Sequence, residues 1–195
     1  MDASSLSSSS SSYSGLDVDF CRAVAAGLFG GDGTAVEFVD LSSGSEGYEK
    51  LSNLEVDVMA GGTWNLENDV QEASTGLGFA FSQPYFYGYS EEEDNLCLVT
   101  REDDQDWLTF VFWTVAATIH AEEHDITQEL YSDMPTIYVY GASLDRMFQD
   151  VIFSVGNYGE IYNRSLQELI PRRGRNRLNS GMHPGPQHYP MPGLI

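Results

Sequence analysis

Apolar residues recur at intervals of three and four along residues 17–28, at Val18, Cys21, Val24, Ala25 and Leu28. That spacing predicts an amphipathic helix with Asp17 as its N-cap. The glycines at 27, 30, 31 and 33 supply its stop. Residues 36–41 (VEFVDL) read as a strand, and residues 46–54 place Tyr48, Leu51 and Leu54 on one side of a short helix. Residues 56–60 (VDVMA) read as a second, buried strand. Strand, helix and strand in that order predict a right-handed crossover within a parallel sheet.

Further along, residues 78–88 (GFAFSQPYFYG) form an extended segment in which Pro84 marks an edge or a bend. The charged stretch 90–95 (SEEEDN) reads as an exposed connection, and 96–100 as a short strand. Asp103, Asp104 and Asp106 can start a long helix that runs to His124. Its stripe is Leu108, Val111, Phe112, Val115 and Ile119. Residues 143–154 and 158–169 read as two more helices broken at Gly156. Beyond residue 170 the composition turns to Pro, Gly, Arg and His, which predicts a poorly ordered or surface-draped tail. The serine run at the other end predicts a disordered segment over 1–14.

Charge changes the picture most. The chain of 195 residues carries 9 basic and 30 acidic side chains, a formal net charge of −21. Residues 1–150 hold 28 of the acids and 4 of the bases, whereas residues 151–195 hold 2 and 5. Such a surface repels phosphates, which argues against nucleic acid or an anionic membrane as a partner. It favours solubility, and secondarily the capture of a cationic ligand. Cys21 and Cys97 allow at most one disulfide and show no metal-site spacing. No run reaches the roughly 18 apolar residues of a membrane span. The opening residues lack the basic and apolar regions of an export signal.

Two stretches carry a resemblance. Residues 15–30 (GLDVDFCRAVAAGLFG) are one; residues 103–123 (DDQDWLTFVFWTVAATIHAEE) with 155–164 (VGNYGEIYNR) are the other. Together they resemble the periplasmic amino-acid-binding proteins of ABC importers, solute-binding protein family 3, general L-amino-acid branch. The resemblance implies an α/β fold of the type II periplasmic-binding-protein kind, here a single-lobe remnant with a short mixed sheet flanked by helices. Lobe one would occupy 15–170, with 89–103 replacing the second lobe and 171–195 forming the tail. The family's first strand, upstream of the first helix, is replaced by serines.

The resemblance also implies a ligand loop at 56–69. Thr63 matches a position that binds the ligand carboxylate through hydroxyl and backbone, Gly61 a second loop contact, and Trp64 matches too, though it also suits a core. Where the family reads TWTLTRD, this chain reads TWNLEND, which puts Asn68 at the place of the carboxylate-gripping arginine. An amide offers neither the fork nor the charge of a guanidinium. Losing one charge-assisted contact costs roughly 1.5–3 kcal/mol. The expectation is a solute-binding component of an amino-acid uptake system, degenerate in this chain, with no enzymatic activity and no cofactor. Its partners would be an L-amino acid held weakly or not at all, and either ABC membrane subunits or an unknown protein. Family resemblance implies a periplasmic or extracellular location. The alternative is a ligand-free interaction domain with an apolar patch around Trp64 and residues 85–89.

One motif stands apart. Residues 120–124 read HAEEH, which fits the H-x-x-E-H pattern of inverted zinc peptidases. A zinc hydrolase is the remote alternative, because a further protein ligand would be needed and the family commonly has EAEE at this exposed helix end. No metal ligand is assigned from the sequence.

Overall fold

The structure, a computed structural model, describes residues 13–64, 78–88 and 95–177. The expectations for 1–12, for Asn68, for residues 89–94 of the 89–103 connection and for 178–195 of the tail fall outside these residues. Helix α1 spans Leu16–Leu28, α2 Gly44–Ser52, α3 Gln105–Glu123, α4 Met147–Val155 and α5 Tyr158–Ser165. Strands β1 (Met59–Thr63), β2 (Phe79–Phe81) and β3 (Leu96–Arg101) form the sheet, and two 3₁₀ turns lie at Gln128–Asp133 and Gly174–Arg177.

The sheet order is β1-β3-β2, with both pairings antiparallel. This corrects the parallel crossover expected from residues 36–60. Residues 36–41 are extended but form no strand. Among the described residues none of their backbone N–H or C=O groups has a backbone hydrogen-bond partner, and a strand exists only where a neighbour completes its ladder. Phe38 packs against Tyr13 at a centroid distance of 5.0 Å, and the Tyr13 hydroxyl donates to Asp40 at 3.2 Å.

Strand β3 is central because both of its faces are covered. Leu98 points into the main core with Phe20, Tyr85, Phe110, Val115 and Tyr158. Val99, on the opposite face by the two-residue period of a strand, joins Leu51, Met59 and Phe79 beneath α2. A strand buried on both faces reads as a continuous apolar run rather than an alternating one.

The helices follow their sequence signals with small shifts. Helix α1 begins one residue before Asp17, on Gly15, which offers no side-chain cap; Asp17 lies in the first turn instead. Ser43 caps α2 by accepting from the Glu46 amide. Leu51 is fully buried, whereas Leu54, expected on the same apolar side, lies past the helix end at φ 61° and is exposed. Asp104 caps α3 through the Trp107 amide at 2.9 Å. Gly156, at φ 77°, ends α4, and Asn157 with Glu160 forms a reciprocal capping box that starts α5.

Residues 171–177 of the tail lie mostly on the surface and are tied down at two points. Asn176 is fully buried, and its amide pairs with the Tyr87 backbone in both directions at 2.8 Å. Arg172 grips the Glu122 carboxylate with both terminal nitrogens and lies 4.8 Å from the Tyr158 ring centroid. These contacts replace a ladder partner and an ion for groups that burial would otherwise leave unsatisfied.

Candidate functional site

Strand β1 delivers Gly61, Thr63 and Trp64 to one end of the sheet. The register passes from Met59↔Val99 to Gly62↔Cys97, so one residue of β1 is extra and the strand bulges there. Gly61 takes φ 73° at the bulge, a conformation that favours glycine. Gly62 is required for space, since a Cβ there would stand 2.1 Å from Cγ2 of Val99.

The bulge is held by residues that the sequence did not point to. The Gly61 amide donates to the Tyr85 hydroxyl at 2.7 Å, and that hydroxyl donates to Asp17 Oδ1 at 2.7 Å. Tyr85 is fully buried, with its ring stacked 4.4 Å from that of Phe20 and its carbonyl accepting from Tyr158 at 2.6 Å. Burial, then the Asp17 charge, pushes its phenol well above its ordinary range, so it stays neutral. Asp17 is an acid in a first helical turn that caps nothing; that idle carboxylate was the one signal available.

Gly61, Thr63 and Trp64 are therefore brought together. Gly61 is expected as a loop contact to a ligand, and its N–H is committed to Tyr85. Thr63 is half-buried, and its carbonyl accepts from the Tyr48 hydroxyl at 3.5 Å. Trp64 is 45% exposed. Tyr85, expected in an exposed apolar patch with Trp64, is a core residue, because its hydroxyl finds two partners inside the fold. Cys21 and Cys97 are both free, and burial raises each thiol to about 12.

Beside the bulge, a groove of about 990 Å³ separates α1 from residues 36–41 and 56–60. Cys21, Val24, Phe38, Val58 and Trp107 give it an apolar floor. Asp17, Glu37, Asp40, Glu55, Asp57 and Asp104 stand on its walls, with Arg101 as a lone cation among its lining residues. One long side is the unpaired backbone of 36–41; the other is the outer edge of β1 and the chain leading to it.

The geometry is that of a small antiparallel sheet packed on helices, with a bulged loop at one end and an open groove beside it. No family model matches the chain. The general L-amino-acid-binding periplasmic protein AapJ of Rhizobium johnstonii is 22% identical to it, over 94% of this chain and 84% of the relative. That alignment is 294 positions long against 195 residues here, so many of its positions have no counterpart in this chain. The putative amino-acid ABC transporter-binding protein YhdW of Escherichia coli is 38% identical over 76 residues, which is 38% of this chain and 20% of that protein.

The chain is similar to periplasmic amino-acid-binding proteins of ABC transporters.

Its fold agrees. An ABC transporter periplasmic binding protein from Brucella ovis, solved with glutathione bound, superposes with a TM-score of 0.67 at 22% identity, covering 87% of this chain and 86% of that one. At that identity the likeness speaks for the periplasmic-binding-protein fold alone. No helix among the described residues is long and apolar enough to cross a membrane.

Proposed function

We propose that the chain is the solute-binding component of an ABC-type amino-acid uptake system, with its ligand site reduced. The relationship to AapJ across 94% of the chain carries this reading, since it spans far more than one shared motif. The relatives are named as binding proteins rather than enzymes, and the chain takes no catalytic role. We place the uncounterparted positions of the alignment at 89–103, where the second lobe of a clamp would be inserted. The ligand is then an L-amino acid held by one lobe, with the Thr63 hydroxyl and the Trp64 face as its contacts and Asn68 at the carboxylate position. Its working partners are ABC membrane subunits, and its location is periplasmic.

A clamp that closes on only one side leaves its ligand in water, and such a site binds weakly because little ligand surface is buried. Calorimetric titration with a panel of L-amino acids should show binding no tighter than millimolar. Asn68→Arg should improve it at least tenfold by restoring a bidentate grip on the carboxylate. Unchanged affinity in that variant, or tight binding in the parent chain, would refute this reading of the loop.

A second reading, a protein-interaction domain, is favoured by the groove. One of its sides, residues 36–41, presents backbone that has no partner among the described residues and that a strand could complete, its floor is apolar, and its walls are acidic. The occupant that fits is an extended apolar strand flanked by Lys or Arg, supplied by another protein. A synthetic strand of that kind should protect the 36–41 amides from hydrogen exchange. Protection already present in the chain alone would mean that its own residues fill the groove.

A further inference from the structure

Helix α3 ends in a cluster that the solute-binding reading leaves unused. His120, Glu123 and His124 each present a ligand atom, and these atoms lie within 4.8 Å of one another. The positions i, i+3 and i+4 place all three on one side of the last turn. The two imidazole centroids are 4.0 Å apart. We propose that this cluster is a surface site for one divalent transition-metal ion, with zinc as the best fit.

Four features support it. First, His124 Nδ1 lies 2.9 Å from the His120 carbonyl oxygen. A carbonyl oxygen only accepts, so Nδ1 carries the proton of the neutral ring and Nε2 keeps the lone pair a metal needs. This is the orienting contact that metal-bound histidines use. Second, two imidazoles and a carboxylate are a borderline donor set, matched to zinc or copper rather than to calcium or magnesium. Third, the site sits at the C-terminal end of a 19-residue helix, the negative end of its macrodipole, on a chain with net charge −21. Fourth, the third ligand is already within the cluster, and His124 is exposed, so an ion can reach it from solvent.

Bonds of about 2.0–2.1 Å at a tetrahedral angle bring ligand atoms to about 3.3–3.5 Å, so the side chains must close by at most about 1.5 Å. Partly and fully exposed side chains at a helix end make that adjustment by rotamer changes. The remaining coordination position faces outward, for water or a partner's side chain.

The neighbouring acid is kept out of the site. Glu122 is held by Arg172. Glu123, as a ligand, cannot also serve as the general base that the H-x-x-E-H pattern of a hydrolase requires. The cluster therefore binds a metal and does not hydrolyse.

The test is titration of the whole chain with Zn²⁺ alone, followed by Co²⁺ as a spectroscopic substitute. One equivalent should bind, and Co²⁺ should develop the visible absorption of a four-coordinate nitrogen and oxygen site. His120→Ala and His124→Ala should each weaken Zn²⁺ binding at least tenfold, and Glu123→Gln by a smaller factor, with far-ultraviolet circular dichroism unchanged in all three. Absence of binding in the parent chain overturns the proposal. So does equal binding by the His120→Ala/His124→Ala double variant, which would place the ion on the acidic surface instead.

Discussion

Tyr85 and Asp17, 68 residues apart in the chain, meet through a 2.7 Å hydrogen bond that simultaneously seats the bulge of β1. The phenol donates to the carboxylate and accepts from the Gly61 amide, so a single buried oxygen serves two elements. Removing it leaves the amide and the carboxylate facing a small void. Tyr85→Phe should lower stability by about 1–3 kcal/mol, the desolvation cost of unpaired polar groups, with little change in volume. Urea unfolding measures this directly. A loss below a few tenths of a kcal/mol would show that water replaces the hydroxyl.

Alkaline pH should destabilise the fold earlier than its acidic composition suggests. Burial raises Cys21 and Cys97 from 9.0 to about 12, Tyr140 from 10.0 to about 12, and Tyr85 well above 10.0. In each case the folded pKa exceeds the unfolded one, so the native state retains protons that the unfolded chain has lost. Stability is then whole below about pH 9 and falls as pH rises towards 12, by up to about 1.4 kcal/mol per unit for each of Cys21, Cys97 and Tyr85, and by less for the partly exposed Tyr140, where solvent screens the effect. The urea midpoint should be lower at about pH 10.5 than at about pH 8. An unchanged midpoint would mean that these side chains are open to water.

The Arg172–Glu122 pair joins the last described turn to the end of α3 with both partners about seven-eighths buried (13% and 12% exposed). Truncating one member strands the other charge. Arg172→Ala should cost about 3–5 kcal/mol, whereas replacing both partners with apolar residues should cost much less. A double-mutant cycle by chemical unfolding separates the two effects. Additive losses would show that the pair is not coupled. The single change should also free residues 171–177, seen as increased proteolysis there.

Gly62→Ala should disturb the register of β1 against β3. The added methyl would overlap Val99, which is itself fully buried between Leu51 and Phe79. Overpacking of this kind typically costs about 1–3 kcal/mol. Gly62→Ala combined with Val99→Ala should recover part of the loss, since the second change removes the atom in the way. Failure to recover any would point to the backbone rather than the side chain as the origin of the cost.

Helices α1, α3, α4 and α5 were legible in the sequence because their signals are local. Apolar spacing of three and four, Asp104 as a cap and Gly156 as a stop all act within a turn or two of the residues concerned. Strand β3 was legible for the same reason, as a short apolar run between polar stretches. Residues 36–41 show the limit of such signals. Their composition suits a strand, yet a strand is a relation between two segments, and no described segment supplies the second.

The site divides along the same line. Gly61, Thr63 and Trp64 are neighbours in sequence, so finding one located the others. Tyr85 and Asp17 come to Gly61 from distant parts of the chain, and nothing local marks a hydroxyl as the one that will occupy a backbone amide. The sequence by itself determined which segments become helices, how acidic the surface is, and which loop resembles a ligand loop, because these depend on residues close together. The tertiary structure alone decided that the sheet is antiparallel, that Gly61 is already bonded, and that Arg172 and Asn176 anchor the tail. Those outcomes depend on which buried polar groups find one another across the fold, and burial is a property of the whole packed chain rather than of any segment in it.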